Sequence, residues 1–489
     1  MIRHSGLGRF QVLASSSRQR QYPRFRMSSS TSAVMPMPFN DVHRKLGAEA
    51  IPFSNDSLRA GYPHQSHSES HKWTRSHASL FDVSDMVQHT ISGPLAEEFL
   101  MTVTPGGINK LAKHSSILSC LLSLEGGMVD DVVVTRLGKA SFYLVTNSRC
   151  HDSDLSFLRS QLSRFISSKC ATKKAIDWNV LENYSLLSIQ GPLSSAILQS
   201  MIFSDGDDPE PDSSLSTLYF GHSRWLQLHL RMEGFTTPSL LVSRTGHTGE
   251  DGFEISIPPE RGPGPALVTS IANAITSDPQ ACRWASLRVK DSLRLEAGLC
   301  LYGDDIDPAT TPPQAGLSWM IPEDRRLDHS PAFNGHEVIV SQLSRPDTIS
   351  AQRVGLVVEP GLAAREGAKI VDLDDPREVI GKVTCGGPSP SLGGVNIAMG
   401  IVRLGWNIKG IKIGIRVRGK TRVAEVVNMP FVENSLYLGG EGNAFMGGVS
   451  KLQSRENVRQ TYDFVVSFQS LTPRLEIWGG RGGEINREA

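Results

Sequence analysis

The chain has 489 residues, with 50 basic and 50 acidic side chains and a formal net charge of zero. This balance argues against nucleic acid or an anionic membrane as the main partner, and no apolar run approaches the ~18 residues of a membrane helix. At roughly 150 residues per domain, the length predicts two or three domains. The six cysteines lie apart, without C-x-x-C pairs or histidines at metal spacing, which indicates free thiols in a reducing compartment.

The amino-terminal segment differs in composition from the rest of the chain. Residues 1–40 contain no Asp or Glu, whereas six arginines recur among serines. An Arg-rich, Ser-rich and acid-free amino terminus is typical of a mitochondrial transit peptide, which is removed on import. The alternative is a basic tail without a targeting role. We assign residues 1–38 to a transit peptide and expect the folded protein to follow it.

The next patterned region predicts strands and a hairpin. Residues 80–92 alternate in places like a strand, and Pro94 then lies at the first turn of a short helix. Residues 126–147 combine a Gly-Gly turn, a β-branched run and a second strand, which predicts a hairpin. Asp130 and Asp131 enter the first of these strands and must point to opposite faces, so at most one lies in a given cleft. We expect the other at the surface.

Helices and a β-rich region follow. Asp152 or Ser153 can cap a helix that carries regularly spaced leucines, and residues 284–297 are helical in character and end at Gly298. Most charges on this second helix are expected to form a salt-bridged face. Short strands recur between turns over residues 354–432, which predicts a small all-β domain.

A glycine-rich loop leads into a strand at residues 243–256. Three glycines fall within seven residues, at Gly246, Gly249 and Gly252. Along residues 253–257 the side chains alternate, so Glu254 faces away from the apolar residues on either side of it. A carboxylate held on a strand can accept two parallel hydrogen bonds, either from an arginine or from the amino-pyrimidine edge of a pterin. Spacing alone leaves both open, together with a plain turn that carries a solvated glutamate.

Eight motifs occur in a fixed order along the chain. They are LFDVSDM at 80–86, GGMVDD at 126–131, LLSIQGP at 186–192, SRTGHTGEDGFEIS at 243–256, KDSLRLEAGLCLYGDDID at 290–307, TPPQAGLSW at 311–319, VTCGGPSPSLGG at 383–394 and MPFV at 429–432. In order and spacing they resemble the aminomethyltransferase family of the glycine cleavage system, the T proteins. The resemblance runs from about residue 40 to residue 432, and residues 71–84 are most similar to the fungal and animal mitochondrial branch.

The resemblance implies an α+β fold with three domains in a cloverleaf around a central folate channel, the last domain being a small β-barrel. Residues 39–345 would form the folate-binding region, with two interleaved α+β domains. Residues 350–437 would form the C-terminal β-barrel domain. Residues 438–489 would be a disordered tail.

The resemblance also implies an activity in glycine catabolism. Such an enzyme transfers the methylene carbon from the aminomethyl-dihydrolipoyl arm of the H protein to tetrahydrofolate and releases ammonia, without a metal. Its partners are the lipoylated H protein and the other glycine cleavage components, with no nucleic acid or membrane insertion, and its location is the mitochondrial matrix. Asp131 matches the family's catalytic aspartate. The alternative is a purely structural role, in which Asp131 caps the hairpin turn.

Further site residues carry over from the family. Glu254 matches the glutamate that binds the pterin, and the resemblance assigns cofactor contacts to Asn147, Tyr437, His247 and Lys290. Several positions depart from the family, and three of them concern the site: Asp85 replaces a histidine, His247 a tyrosine and Lys290 an arginine, whose planar fork lysine cannot supply. These departures leave open a folate-binding relative without turnover. An iron–sulfur assembly factor of the same fold is the other alternative, although its K-G-C-Y-x-G-Q-E signature is absent from the sequence.

Overall fold

A computed structural model describes residues 39–439 of the protein except 54–55, 64, 171–174, 204–212, 260–266 and 328–331. All of the described residues belong to one compact unit. The transit peptide assigned to residues 1–38 lies outside the described residues, as does the tail predicted at 438–489 apart from its first two residues. Within the described part of the chain, no helix is long and apolar enough to cross a membrane.

In the described residues, eight α-helices separate groups of consecutive strands, twenty-one strands in all. The α-helices of the described residues are α1 Asn40–Lys45, α2 His67–Ser76, α3 Ala96–Val103, α4 His151–Ser168, α5 Ser194–Gln199, α6 Leu267–Ile275, α7 Leu287–Glu296 and α8 His336–Ser344. The strands are β1 Glu49–Phe53, β2 Asp56–Gly61, β3 Ala78–Asp82, β4 Val87–Ser92, β5 Ser116–Leu122, β6 Met128–Gly138, β7 Ser141–Thr146, β8 Asp177–Val180, β9 Ser185–Gln190, β10 His222–Leu226, β11 His229–Leu230, β12 Phe235–Thr236, β13 Leu240–Arg244, β14 Gly252–Ile257, β15 Cys282–Trp284, β16 Ala351–Val358, β17 Lys369–Val371, β18 Val379–Ser389, β19 Val395–Arg403, β20 Lys412–Val417 and β21 Lys420–Val427.

The first large sheet is antiparallel, with the strand order β5-β6-β7-β4-β8. One face packs against α3 and α4 through buried apolar side chains such as Phe99, Val132, Val134 and Leu158. The predicted hairpin is confirmed, because β6 pairs directly with β7 across a short turn. Side chains alternate along β6, so the residues next to Val132 and Val134 point to the opposite face.

The second large sheet has the order β10-β13-β14-β9-β3-β15, in which β3 and β15 run parallel. Phe253, Ile255 and Ile257 of β14 are almost fully buried in its main core, together with residues of α6. Each such side chain stabilises the fold by about 1.5–3 kcal/mol. The alternation predicted along this strand is confirmed, and it leaves Glu254 on the face turned toward the first sheet.

The last six strands form a closed barrel in the order β16-β19-β18-β17-β20-β21. The barrel closes because β16 pairs with β19 on one side and with β21 on the other. Its interior is filled by aliphatic side chains, among them Leu356, Ile370, Val383 and Ile413. The predicted all-β domain is therefore confirmed, and with it the α+β class that ends in a small barrel.

Two helix starts differ from the sequence prediction. α4 begins at His151 without a side-chain cap, and Ser153, a predicted cap, instead donates from its Oγ to the carbonyl oxygen of Cys150 at 2.8 Å. α7 begins at Leu287 because residues 282–284 pair with β3 as strand β15. Its predicted end at Gly298 is confirmed, since that glycine has a left-handed φ of 68°.

Glu296, the last residue of α7, links α7 and α2 to the barrel. From α2, His71 Nε2 lies 2.9 Å from Glu296 Oε2, and Arg75 Nη2 donates to the same oxygen at 2.9 Å. From the barrel side, Ser389 Oγ donates to Oε1 at 2.5 Å and the backbone N–H of Ser391 at 3.0 Å. Burial opposes ionisation, but these partners outweigh it and lower the pKa of Glu296 to about 2.

Candidate functional site

Asp130 and Asp131 lie near the start of β6 and point to opposite faces of the first sheet. Asp131 shares its face with Val133 and Thr135, which line a cavity between the two large sheets. Asp130 is fully buried on the other face, next to Asp154 of α4. The expectation that one aspartate lies at the surface is therefore wrong, because α4 covers the face that Asp130 occupies.

Asn147, which directly follows β7, bonds to both aspartates. Its Nδ2 donates to Asp131 Oδ1 at 2.8 Å and to Asp130 Oδ1 at 2.9 Å. Its backbone N–H donates to Asp130 Oδ2 at 2.8 Å. The hairpin register pairs Val132 with Thr146, so the residue after Thr146 lies beside the two carboxylates. The structure thus brings Asp131 and Asn147, two of the predicted site residues, into direct contact.

The carboxyl group of Asp131 is unusually basic for an aspartate. Burial and then the negative charge of Asp130 raise the pKa of Asp131 to about 7, although Asn147 and Lys290 partly offset them. A carboxyl group with a pKa near physiological pH can accept a proton in one step and release it in another.

Gln190 of β9 fixes the glycine-rich loop between β13 and β14. Gln190 Nε2 donates to the carbonyl oxygen of Thr245 at 3.0 Å, and Thr248 Oγ1 donates to Gln190 Oε1 at 2.7 Å. A Cβ atom at Gly246 would lie 2.0 Å from Gln190 Oε1, so a larger residue there would displace the Gln190 side chain. Gly249 has a φ of +76°, in the left-handed region that glycine tolerates best.

Gly249→Ala is expected to destabilise the fold by more than the ~1–2 kcal/mol that a left-handed alanine costs. The added Cβ would lie 2.6 Å from Asn434 Oδ1 and 2.8 Å from the Cβ of Ala297. Gly234→Ala is the matched control, since Gly234 has a φ of +70° but open space around it. Denaturant unfolding of both variants would measure the difference. Equal losses would mean that the neighbours of Gly249 move aside without cost.

Glu254 projects from β14 into the cavity between the sheets. The other side chains that line the cavity are Val133, Thr135, Tyr143, Val145, Leu186, Leu241, Ser243, Thr245 and Ser256. Burial raises the pKa of Glu254, and Lys290 partly offsets this rise. Among the described residues, the Glu254 carboxylate has no hydrogen-bond partner and no arginine beside it. The sequence leaves two possible donors to Glu254, an arginine or a pterin edge. No arginine of the described residues donates to this carboxylate.

Lys290 of α7 and His247 of the glycine-rich loop lie near these carboxylates. The positive charge of Lys290 counters the effect of burial on the pKa values of Asp131, Glu254 and Asp85, yet the lysine forms no ion pair with a described residue. Burial and then Lys290 lower the pKa of His247 to about 3, so its imidazole is neutral. Three of the six predicted site residues, Asp131, Glu254 and His247, therefore lie near the ammonium group of a fourth, Lys290. Asn147 joins this group through its hydrogen bond to Asp131.

Tyr437 lies elsewhere. Its ring stacks on that of Tyr219, with centroids 5.9 Å apart, and packs 4.0 Å from the guanidinium carbon of Arg244. Arg244 also packs over Phe253, which belongs to the face of the second sheet opposite Glu254. The described contacts of Tyr437 are thus not shared with the other predicted residues, and its contact with a cofactor stays a prediction.

Two residues that shape the site, Gln190 and Ser148, are not among the site residues that the sequence predicts. Gln190 lies within the recognised motif LLSIQGP, but only the fold reveals that it holds the glycine-rich loop. Ser148 contacts Asp85, one of the departures from the family, and its Oγ donates to Asp85 Oδ2 at 2.8 Å. The signal that could have found Ser148 is its position next to Asn147.

Comparisons with known proteins agree with this architecture. Residues 39–325 match the GCVT N-terminal domain family, and residues 352–433 match the glycine cleavage T-protein C-terminal barrel domain. The mitochondrial aminomethyltransferase of Saccharomyces cerevisiae is 37% identical over 410 residues, which are 83% of this chain and 96% of the yeast protein. The human mitochondrial aminomethyltransferase is 35% identical over 411 residues, covering 84% of this chain and 93% of its own length.

A solved structure has the same fold. The aminomethyltransferase T of the glycine cleavage system from Bartonella henselae superimposes with a TM-score of 0.69 at 32% sequence identity. The match covers 82% of this chain and 98% of the bacterial chain. Since both family domains match in order and relatives align over most of their length, this chain belongs to the glycine cleavage T-protein family of aminomethyltransferases.

Proposed function

We propose that this protein is a tetrahydrofolate-dependent aminomethyltransferase of the glycine cleavage system. It takes an aminomethyl group carried on a dihydrolipoyl sulfur, transfers the methylene carbon to tetrahydrofolate, and releases ammonia and the free thiol. The observation that carries the proposal is the position of Asp131, which shares its sheet face with cavity-lining Val133 and Thr135 and lies, like Glu254, within the influence of the Lys290 charge.

A pterin is the group that the lining of this cavity suits best. Its walls include Tyr143, Leu186 and Leu241, which would pack on the faces of a flat heterocycle. The cavity has a volume of about 10 Å³, room for about one water molecule, so a pterin would enter only if the two sheets moved apart. The Glu254 carboxylate, without a hydrogen-bond partner among the described residues, can accept two parallel hydrogen bonds from an amino-pyrimidine edge. Lys290 would remain as a positive charge for an anionic or electron-rich part of the substrate, and the neutral His247 would serve as a polar contact.

Asp131 would act on the proton of the reacting nitrogen. When tetrahydrofolate attacks the methylene carbon, its nitrogen becomes positively charged and must lose a proton. An ionised Asp131 would stabilise this charge and accept the proton, while Asn147 keeps its carboxylate in a fixed orientation. These roles need no group from Tyr437.

The partner and location follow from the same reasoning. A lipoyl arm that carries the aminomethyl group requires a lipoylated carrier, and the H protein of the glycine cleavage system has that chemistry. The relatives named above are mitochondrial proteins, and the Arg-rich segment at residues 1–38 supports import into the matrix. We further propose a folate-binding region at residues 39–345 and a barrel domain at 350–437.

The test is a reconstituted reaction. Purified protein is mixed with tetrahydrofolate and an aminomethylated lipoyl carrier, and methylenetetrahydrofolate and ammonia are followed together. We expect both products in equal amounts. Folate binding without either product would overturn the proposal and favour a binding protein of this fold.

The reaction should slow as the pH falls below about 7. Asp131 must be ionised to accept a proton, and its pKa of about 7 means that the ionised fraction declines in acid. Well below that pKa, kcat/KM is expected to fall about tenfold per pH unit. Ammonia release measured across the acidic range would reveal this limb, and a flat profile would contradict the role given to Asp131.

A further inference from the structure

A second buried carboxyl group lies directly behind the site. Asp154 of α4 is 0% exposed, and its carboxylate lies within 4.8 Å of polar atoms of Asp130 and Cys150. Neither oxygen of Asp154 has a hydrogen-bond partner of good geometry among the described residues. An isolated buried carboxylate without donors would be strongly destabilising, so the group must gain a proton or a partner.

The groups around Asp154 favour the protonated form of its carboxyl group. Burial and then the charge of Asp130 raise the pKa of Asp154 to about 10, which the nearby Thr146 hydroxyl does not overcome. The other titratable groups that act on this cluster are Asp131, the thiol of Cys150 and the phenol of Tyr302. None of them supplies a positive charge.

Asp130 is an acceptor with room for one more donor. Asn147 already donates to each of its two oxygens, and each carboxylate oxygen can accept a second hydrogen bond. An O–H group on Asp154 would satisfy both carboxyls at once. The chain of contacts then runs from α4 through Asp130 and Asn147 to Asp131.

We propose that Asp154 is a neutral carboxylic acid that donates its proton to Asp130 and thereby positions Asn147 against Asp131. The pair carries one negative charge, which lies on Asp130. Asp154 is thus a positioning residue, because it acts on the reacting group only through Asp130 and Asn147. A bound divalent cation is the competing account of the same cluster.

The first experiment compares thermal unfolding of the wild type and Asp154→Asn between pH 5 and pH 9. The folded-state pKa of Asp154 is raised, so its stabilisation is present below the ordinary carboxyl pKa of about 4 and is lost as the pH rises toward about 10. The Tm of the wild type should therefore fall steadily relative to that of Asp154→Asn. A constant difference would overturn the proposal, and this test does not depend on the enzyme's activity.

Infrared spectroscopy gives an answer even if Asp154→Asn does not fold. Wild-type protein carrying ¹³C-labelled aspartate should display the carbonyl stretch of a protonated carboxylic acid at pH 8, and both Asp131→Asn and Asp85→Asn should retain it, since burial also raises the pKa of Asp85. Loss of the band from the wild type at this pH would overturn the proposal. So would one equivalent of a divalent metal per chain that Asp154→Asn lacks.

The positioning role rests on the proposed function and has its own readout. Asp154→Ala, which cannot donate, should lower kcat about tenfold, the effect of one lost hydrogen bond to a charged group. Asp154→Asn should recover part of this loss and keep the acidic limb of kcat/KM in place. Asp130→Asn removes a charge that raises the pKa of Asp131, so it should move the limb to lower pH. An equal downward shift in Asp154→Asn would mean that Asp154 is ionised.

Discussion

Asp131→Asn should lower the rate of methylene transfer by about 10²- to 10⁴-fold, the range that a positioned general base contributes. The amide has the size of the carboxyl group and can still contact Asn147, but it carries no charge and accepts no proton at physiological pH. Folate binding should stay largely intact, since Glu254 and the cavity walls are unchanged. Single-turnover kinetics would measure the rate, and titration calorimetry the binding.

Asp152→Asn is the matched control for this experiment. Asp152 lies on α4, with a side chain that is 92% exposed and bonded only to the adjacent His151 among the described residues. Its substitution should leave the rate unchanged. If Asp131→Asn transferred the methylene group as fast as this control does, Asp131 would have no part in the chemistry.

Glu254→Gln should weaken the binding of tetrahydrofolate by about 1–3 kcal/mol, a factor of roughly 5 to 150 in Kd. A glutamine oxygen can accept one hydrogen bond of the pterin edge, but its NH₂ group faces the second donor and cannot accept from it. The free enzyme should be no less stable, because burial already opposes the ionised form of Glu254.

Calorimetry with tetrahydrofolate would measure this change, with Glu233→Gln as its control. Glu233 lies at an exposed turn between β11 and β12, and its substitution should have no effect on Kd. An unaltered Kd in Glu254→Gln would mean that the pterin does not use this carboxylate, whatever the activity of the enzyme.

Local pattern was sufficient to predict the strand that carries Glu254. Successive side chains of a strand point to opposite faces, and this alternation determines which residues of β14 enter the core. The burial of Phe253 and Ile255 follows from it. The same rule separated Asp130 from Asp131. The alternation does not predict what covers Asp130, because α4 lies over this aspartate only after it has packed against the first sheet. The surface position expected for that aspartate therefore failed.

Long-range contacts explain the other differences. The hydrogen bonds of Gln190 reach the glycine-rich loop more than fifty residues away, and no periodicity reports such a pairing. Asp130 of β6 and Asp154 of α4 are likewise distant in sequence, and their carboxylates lie within 4.8 Å of each other. Tyr437 is a residue type that suits a contact with a ring. The structure packs the Tyr437 ring against Arg244, and this contact determines on which face of the second sheet the ring lies.

The hydrogen bonds around Glu296 restrict how the parts of this chain can be recombined in evolution. The carboxylate ends a helix of one lobe, whereas Ser389 and Ser391 belong to the barrel side. A barrel inherited from a distant relative would have to bring equivalent donors, since a buried charge deprived of them costs several kcal/mol. Exchange of the barrel alone should therefore destabilise the protein unless equivalent donors come with it, which favours inheritance of the barrel, α2 and α7 as one unit.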